Sequence, residues 1–515
     1  MAHCCLLSVY EAIKRQPAER RLLAAGAIEK LSVSRNSMPR NNTHRGNRTS
    51  RALNLSQIKQ GLIDGGVKYC FSAYVDVHGI PKGKMIPIDH FDRMMRGSEL
   101  FTGAALDGLG QGPMDDELAV HPDPKAIQQL PWRPEVAWAP GNLKYHDQPW
   151  PMCSRNVLCQ QVERAAKMGL QFNLGIECEI YLVQADGGTI VPHNPQDTIE
   201  KAAYDFLLTL ENLDWLDEVV GYMNEMGWHV HSFDHEDSNG QYEFDFAYAD
   251  VLTMCDRFVL WRLLTKEIAR RYGWEATFMP KPYVDRTGSG SHFNMSLSSS
   301  KTGKNISGDK RDTRGCGLSK ISYQFLGGIK RHAKAIVATT CPTVNSYKRL
   351  IKTGSMTGFT WAPIFISYGG NNRTHMLRVP MVRPEIEGAA KPDKGIYLSS
   401  ARWECRAVDP AMNPYLAAAM MLGAGLNGIE EGLDPGDPFN IDMYELSDKK
   451  LKKLKVQQLP RTLLESVESF DKDPLSEQVM GVELKNAYVD LKSKEWWDYH
   501  NHVSQWEIDN YLTKF

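Results

Sequence analysis

The segment GIECEIYLV, residues 175–183, places two carboxylates around a single cysteine in an otherwise apolar run. Successive side chains of a strand alternate between its two faces, so Glu177 and Glu179 would share one face and Cys178 would lie on the other. An isolated pair of this kind is ordinarily the solvated face of an edge strand. Only further polar residues on the same side would indicate a chemical role.

Three later segments repeat this alternation: HEDSNGQYEFDF at 235–246, GSGSHFNMSL at 288–297 and RWECRAV at 402–408. Their polar positions are Glu236 and Glu243 around a Ser-Asn-Gly turn, then His292, Asn294 and Ser296, and then Arg402, Glu404 and Arg406. Each segment alone is explained as well by a solvated face, a hydrogen-bonded core histidine or a surface ion pair. Together they predict one cleft floored by strands with polar faces.

Five glutamates in one cleft need cations to stay ionised, because two carboxylates roughly 4 Å apart repel by about 4 kcal/mol at an effective dielectric near 20. Glutamate-dominated ligation with one imidazole suits Mg²⁺ or Mn²⁺, whereas zinc favours more histidine and cysteine. The segments SYKRL and NNRTHMLRVP add Arg349, Arg373 and Arg378, whose guanidinium groups would neutralise phosphate oxygens. These residues predict a nucleotide-dependent ligase or kinase.

The composition is that of a globular protein of two or three domains, with 515 residues and 42% hydrophobic content. Its 60 Lys and Arg against 62 Asp and Glu give no long-range field that would attract nucleic acid or an anionic membrane. The apolar run LAAAMMLGAGL at 416–426 has 11 residues, fewer than the roughly 20 that span a bilayer. Ten cysteines without a CxxC pair are typical of reduced thiols, so we expect a cytoplasmic protein.

Residues 1–51 differ from the rest of the chain, with ten Lys and Arg against three Glu and no acidic residue from Leu31 to Arg51. Because this composition offers little to bury, we predict a basic, unstructured extension over residues 1–54. An organelle transit peptide, which is also rich in arginine and poor in acids, is the alternative.

The elements that would position the polar residues follow from hydrophobic periodicity and turn residues. They are a helix from Ser56 to Gly65, a hairpin at 68–88, a Pro- and Gly-rich linker at 139–155, helices at 201–226 and 250–272, and further helices from Asp448 to Phe515. The last helices carry an aromatic stripe, Trp496, Trp497, Trp506 and Tyr511, which we interpret as packing rather than cofactor binding.

Six motifs occur in the order in which one known family carries them: GIECEIYLV, GQYE, FMPKP with GSGSHFNMSL, NSYKRL, NNRTHMLRVP and ECRAVDPAMNPYL. From about residue 56 to residue 515, the chain resembles the glutamine synthetase family, and within it the type III-like branch that includes glutamate–amine ligases. The resemblance implies an α+β fold, with an N-terminal β-grasp domain at 55–140 and a catalytic domain at 141–515 built on a curved antiparallel sheet with helices. It also implies a homo-oligomer of stacked rings, similar to a dodecamer, with active sites between subunits.

The resemblance also implies a role for each candidate residue. One metal ion, Mg²⁺ or Mn²⁺, would be held by Glu179, Glu236 and Glu243, and a second by Glu177, His292 and Glu404. Glutamate would contact Thr287, Gly288, Arg349, Arg373 and Arg406, and ATP would contact Asn294, Ser296, Arg373, Arg378 and Arg402. Arg349, Arg373 and Trp361 would be the catalytic residues.

The reaction implied has two steps: the γ-carboxylate of L-glutamate attacks ATP, and an amine then displaces phosphate from γ-glutamyl phosphate. The chain departs from the family pattern at Asn294, where a nucleotide-side histidine is usual, and at Thr287, where a glutamate-binding asparagine is usual. A third departure concerns the nucleophile, because Trp361 and Thr102 stand where ammonia-using members carry two acids that hold ammonium.

An indole in place of an acid shelters an alkyl group or attracts an alkylammonium, so we expect a small alkylamine such as methylamine as the nucleophile. The first alternative is a glutamine synthetase proper, which uses ammonia, with Asp107 or Asp115 restoring the missing charge. The second is an inactive scaffold of the same fold, which would be expected to have broken metal sites.

Overall fold

The computed structural model describes residues 54–186, 189–352, 361–381 and 399–515. The extension predicted over residues 1–54 lies outside the described residues except for Asn54. Asn54 caps the first helix, because its side-chain oxygen accepts a hydrogen bond from the Ser56 N–H at 3.0 Å.

Most of the strands are short, and the longest, Arg133–Tyr145, has 13 residues. They are β1 (Tyr69–Val75), β2 (Pro81–Pro87), β3 (Glu99–Phe101), β4 (Leu118–Pro122), β5 (Gln128–Leu130), β6 (Arg133–Tyr145), β7 (Gln148–Pro149), β8 (Leu170–Ile176), β9 (Cys178–Asp186), β10 (Thr189–Pro192), β11 (Val230–His235), β12 (Gln241–Phe246), β13 (Ala249–Asp250), β14 (Glu275–Thr277), β15 (Phe293–Ser299), β16 (Phe365–Ile366), β17 (Tyr368–Gly369), β18 (Leu377–Arg378), β19 (Trp403–Cys405) and β20 (Gln457–Gln458).

The helices include several long ones that cover the sheets. They are α1 (Leu55–Asp64), α2 (Phe91–Met94), α3 (Ser154–Lys167), α4 (Phe206–Glu211), α5 (Leu213–Glu225), α6 (Val251–Arg271), α7 (Lys320–Thr340), α8 (Ser346–Arg349), α9 (Pro414–Glu430), α10 (Asp448–Lys453), α11 (Leu463–Lys472), α12 (Pro474–His500) and α13 (Gln505–Tyr511). The predicted α+β class is confirmed, as are the helices near 55–65 and 250–272 and the helical tail. The single helix expected at 201–226 is wrong, because α4 and α5 are separated at Asn212.

The first sheet contains β1 to β7 in the order β2-β1-β6-β4-β3, with β5 and β7 paired to β6. β1 and β2 form the predicted hairpin. β6 runs parallel to β1 as far as Pro140 and pairs with β4 from Gly141 onward. The prediction of a linker at 139–155 is therefore wrong in its first part, since Pro140 and Gly141 mark a change of strand partner. The division into domains at residue 140 stays a prediction.

Two further sheets meet at Glu177. One has the order β10-β9-β12-β11, with β14 also on β9, and the other has the order β13-β8-β15-β19-β18-β17. Because β8 ends at Ile176 and β9 begins at Cys178, the chain changes sheets between them. The single strand predicted for GIECEIYLV is wrong, although its alternation holds: Ile176, Cys178 and Ile180 are buried in the core.

Helices α7 and α9 pack closely behind these sheets and share the main hydrophobic core with them. Gly328 of α7 faces Gly428 of α9 and the Ala424 carbonyl oxygen, and a Cβ at position 328 would overlap that oxygen. A glycine is therefore required for the two backbones to approach this closely. No helix in the described ranges is long and apolar enough to cross a membrane.

The predicted aromatic stripe divides between core and surface. Trp496 packs against the core, whereas Trp497, Trp506 and Tyr511 have 49%, 62% and 45% of their surface exposed. Packing within one chain therefore does not explain why these three positions carry large aromatic side chains.

Candidate active site

Glu177 lies where the sheet that contains β8 meets the sheet that contains β9. Its backbone N–H donates to the His292 carbonyl oxygen at 3.1 Å, and its side chain accepts a hydrogen bond from Asn294 Nδ2 at 2.8 Å. β15, which begins just after His292, lies between β8 and β19. This strand order brings Glu177, His292 and Glu404 together although they are distant in sequence.

Glu177, His292 and Glu404 form a compact group whose ligand atoms all lie within 4.8 Å of one another. His292 Nδ1 is 2.7 Å from Glu177 Oε2 and 3.6 Å from Glu404 Oε1. His292 and Glu404 are buried, and Glu177 is half-buried. Two carboxylates and one imidazole form a donor set that suits a hard divalent cation.

The second predicted ligand set, Glu179, Glu236 and Glu243, lies beside the first. Glu179 on β9 and Glu243 on β12 are directly opposite each other in the sheet, and Glu236 follows β11. His292 Nε2 is 3.8 Å from Glu179 Oε1, which links the two groups. Among the residues that the structure describes, only the Glu177 group meets the 4.8 Å spacing, so a second metal at Glu179, Glu236 and Glu243 stays a prediction.

Burial and mutual repulsion weaken these carboxyl groups as acids. Burial and the charge of Glu236 raise the pKa of Glu179 to about 8. Burial raises the pKa of Glu236, and burial with the charges of Glu236 and Glu177 raises the pKa of Glu243 well above its usual range. Burial and the charge of Arg406 hold the pKa of His292 well below its usual range, so its imidazole is neutral and able to bind a metal. A divalent cation would relieve the repulsion, and the donor set therefore fits the ions that the sequence predicts.

Two more carboxylates lie next to these groups, and the family resemblance implies no role for either of them. Asp234 is opposite Glu243 in the pairing of β11 and β12, and burial and the charge of Glu236 raise its pKa to about 7. Burial and the charge of Glu177 raise the pKa of Asp245 to about 6. The two-residue spacing that relates Asp234 to Glu236 and Asp245 to Glu243 is the signal that could have identified both.

Glu404 connects the carboxylates to two of the predicted arginines. Arg406 Nη1 lies 2.7 Å from Glu404 Oε1, and Arg378 Nη1 lies 2.5 Å from Glu404 Oε2. Arg349 is also buried, and its Nη2 donates to the Arg406 carbonyl oxygen at 3.3 Å. Within the described ranges, Arg349 Nη1 and Arg406 Nε are buried without a hydrogen-bond partner. Unpartnered guanidinium N–H groups of this kind are suited to an anionic substrate.

Arg373 differs from these arginines because its side chain is exposed. Burial and the charge of Glu236 raise the pKa of Tyr204, and the charge of Arg373 opposes this rise. The charges of Arg373 and Glu236 therefore act on the pKa of Tyr204 in opposite directions. The roles of Arg373 toward glutamate and ATP stay predictions.

The segment before His292 brings backbone into the cluster. A Cβ at Gly290 would lie 2.6 Å from His292 Nε2 and 2.9 Å from Glu179 Oε1, so only glycine leaves this space free. The Gly288 carbonyl oxygen lies 3.4 Å from Gln241 Nε2, which also donates to Glu179 Oε2 at 3.1 Å. The Thr287 hydroxyl donates to Asp237. The Thr287 hydroxyl is thus already hydrogen-bonded, and the Thr287 backbone carbonyl oxygen accepts a hydrogen bond from the Tyr181 hydroxyl.

Three of the five predicted ATP contacts line one cavity of about 600 Å³: Asn294, Ser296 and Arg402. The cavity also reaches Glu177 and Asp245, so it opens onto the carboxylate cluster. Asn294 bridges the two sides, since its amide nitrogen donates to Glu177 and its oxygen accepts from Arg402 Nε at 3.1 Å. Arg378 and Arg373 do not line this cavity.

The residues predicted near the amine lie on exposed segments. Trp361 has 41% of its surface exposed and a φ of +52°, which is unusual for an aromatic residue. The Thr102 hydroxyl lies 3.4 Å from Glu117 Oε1. Asp107 is 3.1 Å from His78 Nε2, and Asp115 accepts the Gly112 N–H at 2.7 Å. Both acids named in the ammonia alternative therefore have local partners.

The carboxylate cluster is suited to a divalent cation, and the buried arginine N–H groups that lack partners among the described residues are suited to an anionic substrate. The family model described as glutamine synthetase, catalytic domain, matches residues 151–511. The chain belongs to the glutamine synthetase family. It is an ATP-dependent ligase, and its family uses ATP and a divalent metal.

The chain matches similar proteins over nearly the whole of their length. A glutamate–methylamine ligase of Methyloversatilis universalis is 35% identical over 461 residues, which are 89% of this chain and 99% of the relative. A glutamine synthetase of Rhizobium leguminosarum bv. phaseoli is 37% identical over 449 residues, which are 87% of this chain and 97% of the relative. A solved GmaS/ADP complex is 36% identical with a TM-score of 0.79, covering 88% of this chain and 99% of that one.

Proposed function

We propose that this protein joins the γ-carboxylate of L-glutamate to a small alkylamine such as methylamine, with ATP as co-substrate. The observation that carries the choice of amine is Trp361, an exposed indole where the family resemblance predicts an ammonium-holding acid. The similarity to a glutamate–methylamine ligase over 99% of its length supports the same choice.

In the first step, an oxygen of the γ-carboxylate attacks the γ-phosphorus of ATP, the bond to the bridging oxygen breaks, and ADP leaves. We assign Arg349 and Arg406 to the substrate carboxylates, because both present buried N–H groups without partners in the described residues. Arg402, Arg378 and Arg373 would neutralise the phosphate oxygens, with Asn294 and Ser296 on the nucleotide side.

In the second step, the amine nitrogen attacks the acyl carbon of γ-glutamyl phosphate, the carbon–oxygen bond to phosphate breaks, phosphate leaves, and the nitrogen releases a proton to water. Trp361 would contact the alkyl group of the amine or attract its cationic form before deprotonation. The Trp361 side chain would also exclude water from the acyl phosphate and so limit its hydrolysis.

We assign one divalent ion to Glu177, His292 and Glu404 and another to Glu179, Glu236 and Glu243, with Mg²⁺ or Mn²⁺ as the metal. When bound, the ions would neutralise phosphate oxygens and stabilise the charge on the transferring group. The glutamates contribute the negative charge that selects a cation, and neutral His292 contributes a nitrogen ligand.

We also propose a homo-oligomer of stacked rings, similar to a dodecamer, with active sites between subunits. The exposed tryptophans and tyrosine of the C-terminal helices support an assembly, since large aromatic side chains are enriched at interfaces. The exposed segment that carries Thr102, Asp107 and Asp115 would reach the active site of a neighbouring subunit.

A competition between methylamine and ammonium at equal concentration tests the amine. We expect a higher kcat/KM for methylamine in the wild type and a selective loss of that preference in Trp361→Ala. Tyr69→Ala, which removes another exposed aromatic side chain on β1 to which the proposed function gives no role, is the control and should keep the wild-type preference. A higher kcat/KM for ammonia in the wild type would contradict the proposal.

The second candidate is a glutamine synthetase proper, and its support is the relative of that name at 37% identity. It requires an acid in the amine pocket, and the candidates are Asp107 and Asp115. If ammonia is preferred, Asp107→Asn or Asp115→Asn should raise KM for ammonium.

A further inference from the structure

Asp197 lies between β10 and α4, in a segment to which the proposed chemistry gives no role. Its carboxylate is completely buried and accepts three hydrogen bonds. The donors are His235 Nε2 at 2.8 Å, the Gly240 N–H at 2.6 Å and Asn239 Nδ2 at 2.7 Å. A carboxylate held by so many donors, one of them an imidazole, fixes the positions of all three.

These donors lie at the two ends of one turn. His235 is the last residue of β11 and directly precedes Glu236, whereas Gly240 directly precedes β12, which carries Glu243. The turn is closed by the Glu236 N–H, which donates to the Gln241 carbonyl oxygen at 2.9 Å. Asp197 therefore ties together the two chain segments that carry Glu236 and Glu243.

The histidine extends this restraint to Glu236 itself. His235 Nδ1 is 2.8 Å from the Glu236 carbonyl oxygen, and both ring nitrogens face acceptors. The other end of the turn is equally confined, because Gly240 has a φ of +75° and a Cβ there would lie 2.8 Å from the Leu182 carbonyl oxygen. Loss of a partner here leaves a buried polar group unsatisfied, since the side chains of His235 and Asp197 are both completely buried.

We propose that Asp197 is a positioning residue that sets the separation of Glu236 and Glu243 and thereby the affinity of the Glu179, Glu236 and Glu243 group for a divalent cation. This inference rests on the proposed function, because it takes that group to be a metal site. Asp197 touches neither substrate nor metal and acts through the turn.

The experiment measures Mn²⁺ binding to the whole protein without nucleotide, by the electron paramagnetic resonance signal of free Mn²⁺. Partners of metal ligands typically contribute about 10- to 100-fold to metal affinity, so Asp197→Asn should weaken one class of Mn²⁺ sites by about that factor. The other class, assigned to Glu177, His292 and Glu404, should keep its affinity. At saturating Mn²⁺, Asp197→Asn should recover most of its kcat, which a general disruption of the fold would not allow.

A matched control is available in another histidine–carboxylate pair, in which His332 Nδ1 lies 2.9 Å from Asp473 Oδ1. Asp473→Asn makes the same substitution in a histidine–carboxylate pair outside the carboxylate cluster, and it should leave both classes of Mn²⁺ sites unchanged. If Asp197→Asn does not fold, Asn239→Ala, which removes one of the three donors, should give a smaller loss in the same class.

Two outcomes separate this inference from the proposed function. Unchanged Mn²⁺ binding in a folded Asp197→Asn or Asn239→Ala variant, with one class of sites lost in Glu243→Gln, overturns the role of Asp197 and leaves the metal assignment standing. Unchanged binding in Glu243→Gln overturns the assignment of Glu179, Glu236 and Glu243 as a metal site and the inference with it.

Discussion

Glu404 is the residue on which the two chemical parts of the site depend. Its side chain is completely buried, and its two oxygens contact Arg406 and Arg378 while facing His292. The sequence predicts a ligand at this position, but it does not reveal that the same carboxylate also holds two arginines. Replacing it with alanine would remove the carboxylate partner of both arginines and would cost about 3–5 kcal/mol of stability.

The first prediction is that Glu404→Gln lowers kcat by more than about 100-fold while the folded structure is kept, because the amide keeps the volume but loses the charge that binds metal. Activity is measured as ADP release at rising Mg²⁺, and folding by circular dichroism. Glu468→Gln, on an exposed glutamate that pairs with Lys472, is the control and should be active. Full activity of Glu404→Gln at saturating Mg²⁺ would exclude Glu404 as a metal ligand.

At the scale of elements, alternation identified which residues face the cleft but not how the chain reaches it. Glu177 and Glu179 face the cluster as expected, because the core requires Ile176, Cys178 and Ile180 on the other side whichever sheet each strand joins. The change of sheet at Glu177 depends on hydrogen-bond partners far along the chain, and period-two alternation carries no information about them. Asp197 was beyond prediction for the same reason, since its partners belong to a different turn.

His375 gives the second prediction, because it holds the loop between β17 and β18 that carries Arg373. Its Nδ1 lies 2.7 Å from Ser367 Oγ and its Nε2 lies 2.9 Å from the Phe439 carbonyl oxygen. Burial lowers its pKa to about 4, against an ordinary value of 6.5, although the bond to Phe439 opposes this. As the pH falls, the imidazole of His375 is therefore protonated in the unfolded chain before it is protonated in the folded protein. The folded state loses stability between about pH 6.5 and pH 4 as a result.

The shift corresponds to about 3 kcal/mol of stability at its full extent. In denaturant unfolding across this pH range, the free energy of unfolding should fall more steeply for the wild type than for His375→Gln, because glutamine does not bind a proton. His502→Gln, on an exposed histidine, should follow the wild type. Parallel curves for the wild type and His375→Gln would show that His375 does not titrate in this way.

At the scale of the whole molecule, the third prediction concerns the basic N-terminal segment. A chain that starts at Asn54 keeps the cap of α1, so deleting residues 1–53 should leave kcat, KM and Tm nearly unchanged. Gel filtration of the two forms compares their assembly. A truncated protein that fails to assemble would mean that the segment packs between subunits.

The last prediction concerns the C-terminal residues 503–515, none of which is buried within the chain. Trp506, Leu512 and Phe515 have 62%, 74% and 95% of their surface exposed. Fully burying one such side chain contributes about 1.5–3 kcal/mol. A subunit contact that buries these side chains would therefore be stabilised by them, whereas in an isolated chain they stay exposed to water. Ending the chain at His502 should therefore reduce the mass of the assembly in light scattering while circular dichroism stays unchanged. Asn510→Ala with Lys514→Ala, on polar positions of the same segment, should keep the full assembly, and a truncated chain of undiminished mass would show that the aromatic residues do not join subunits.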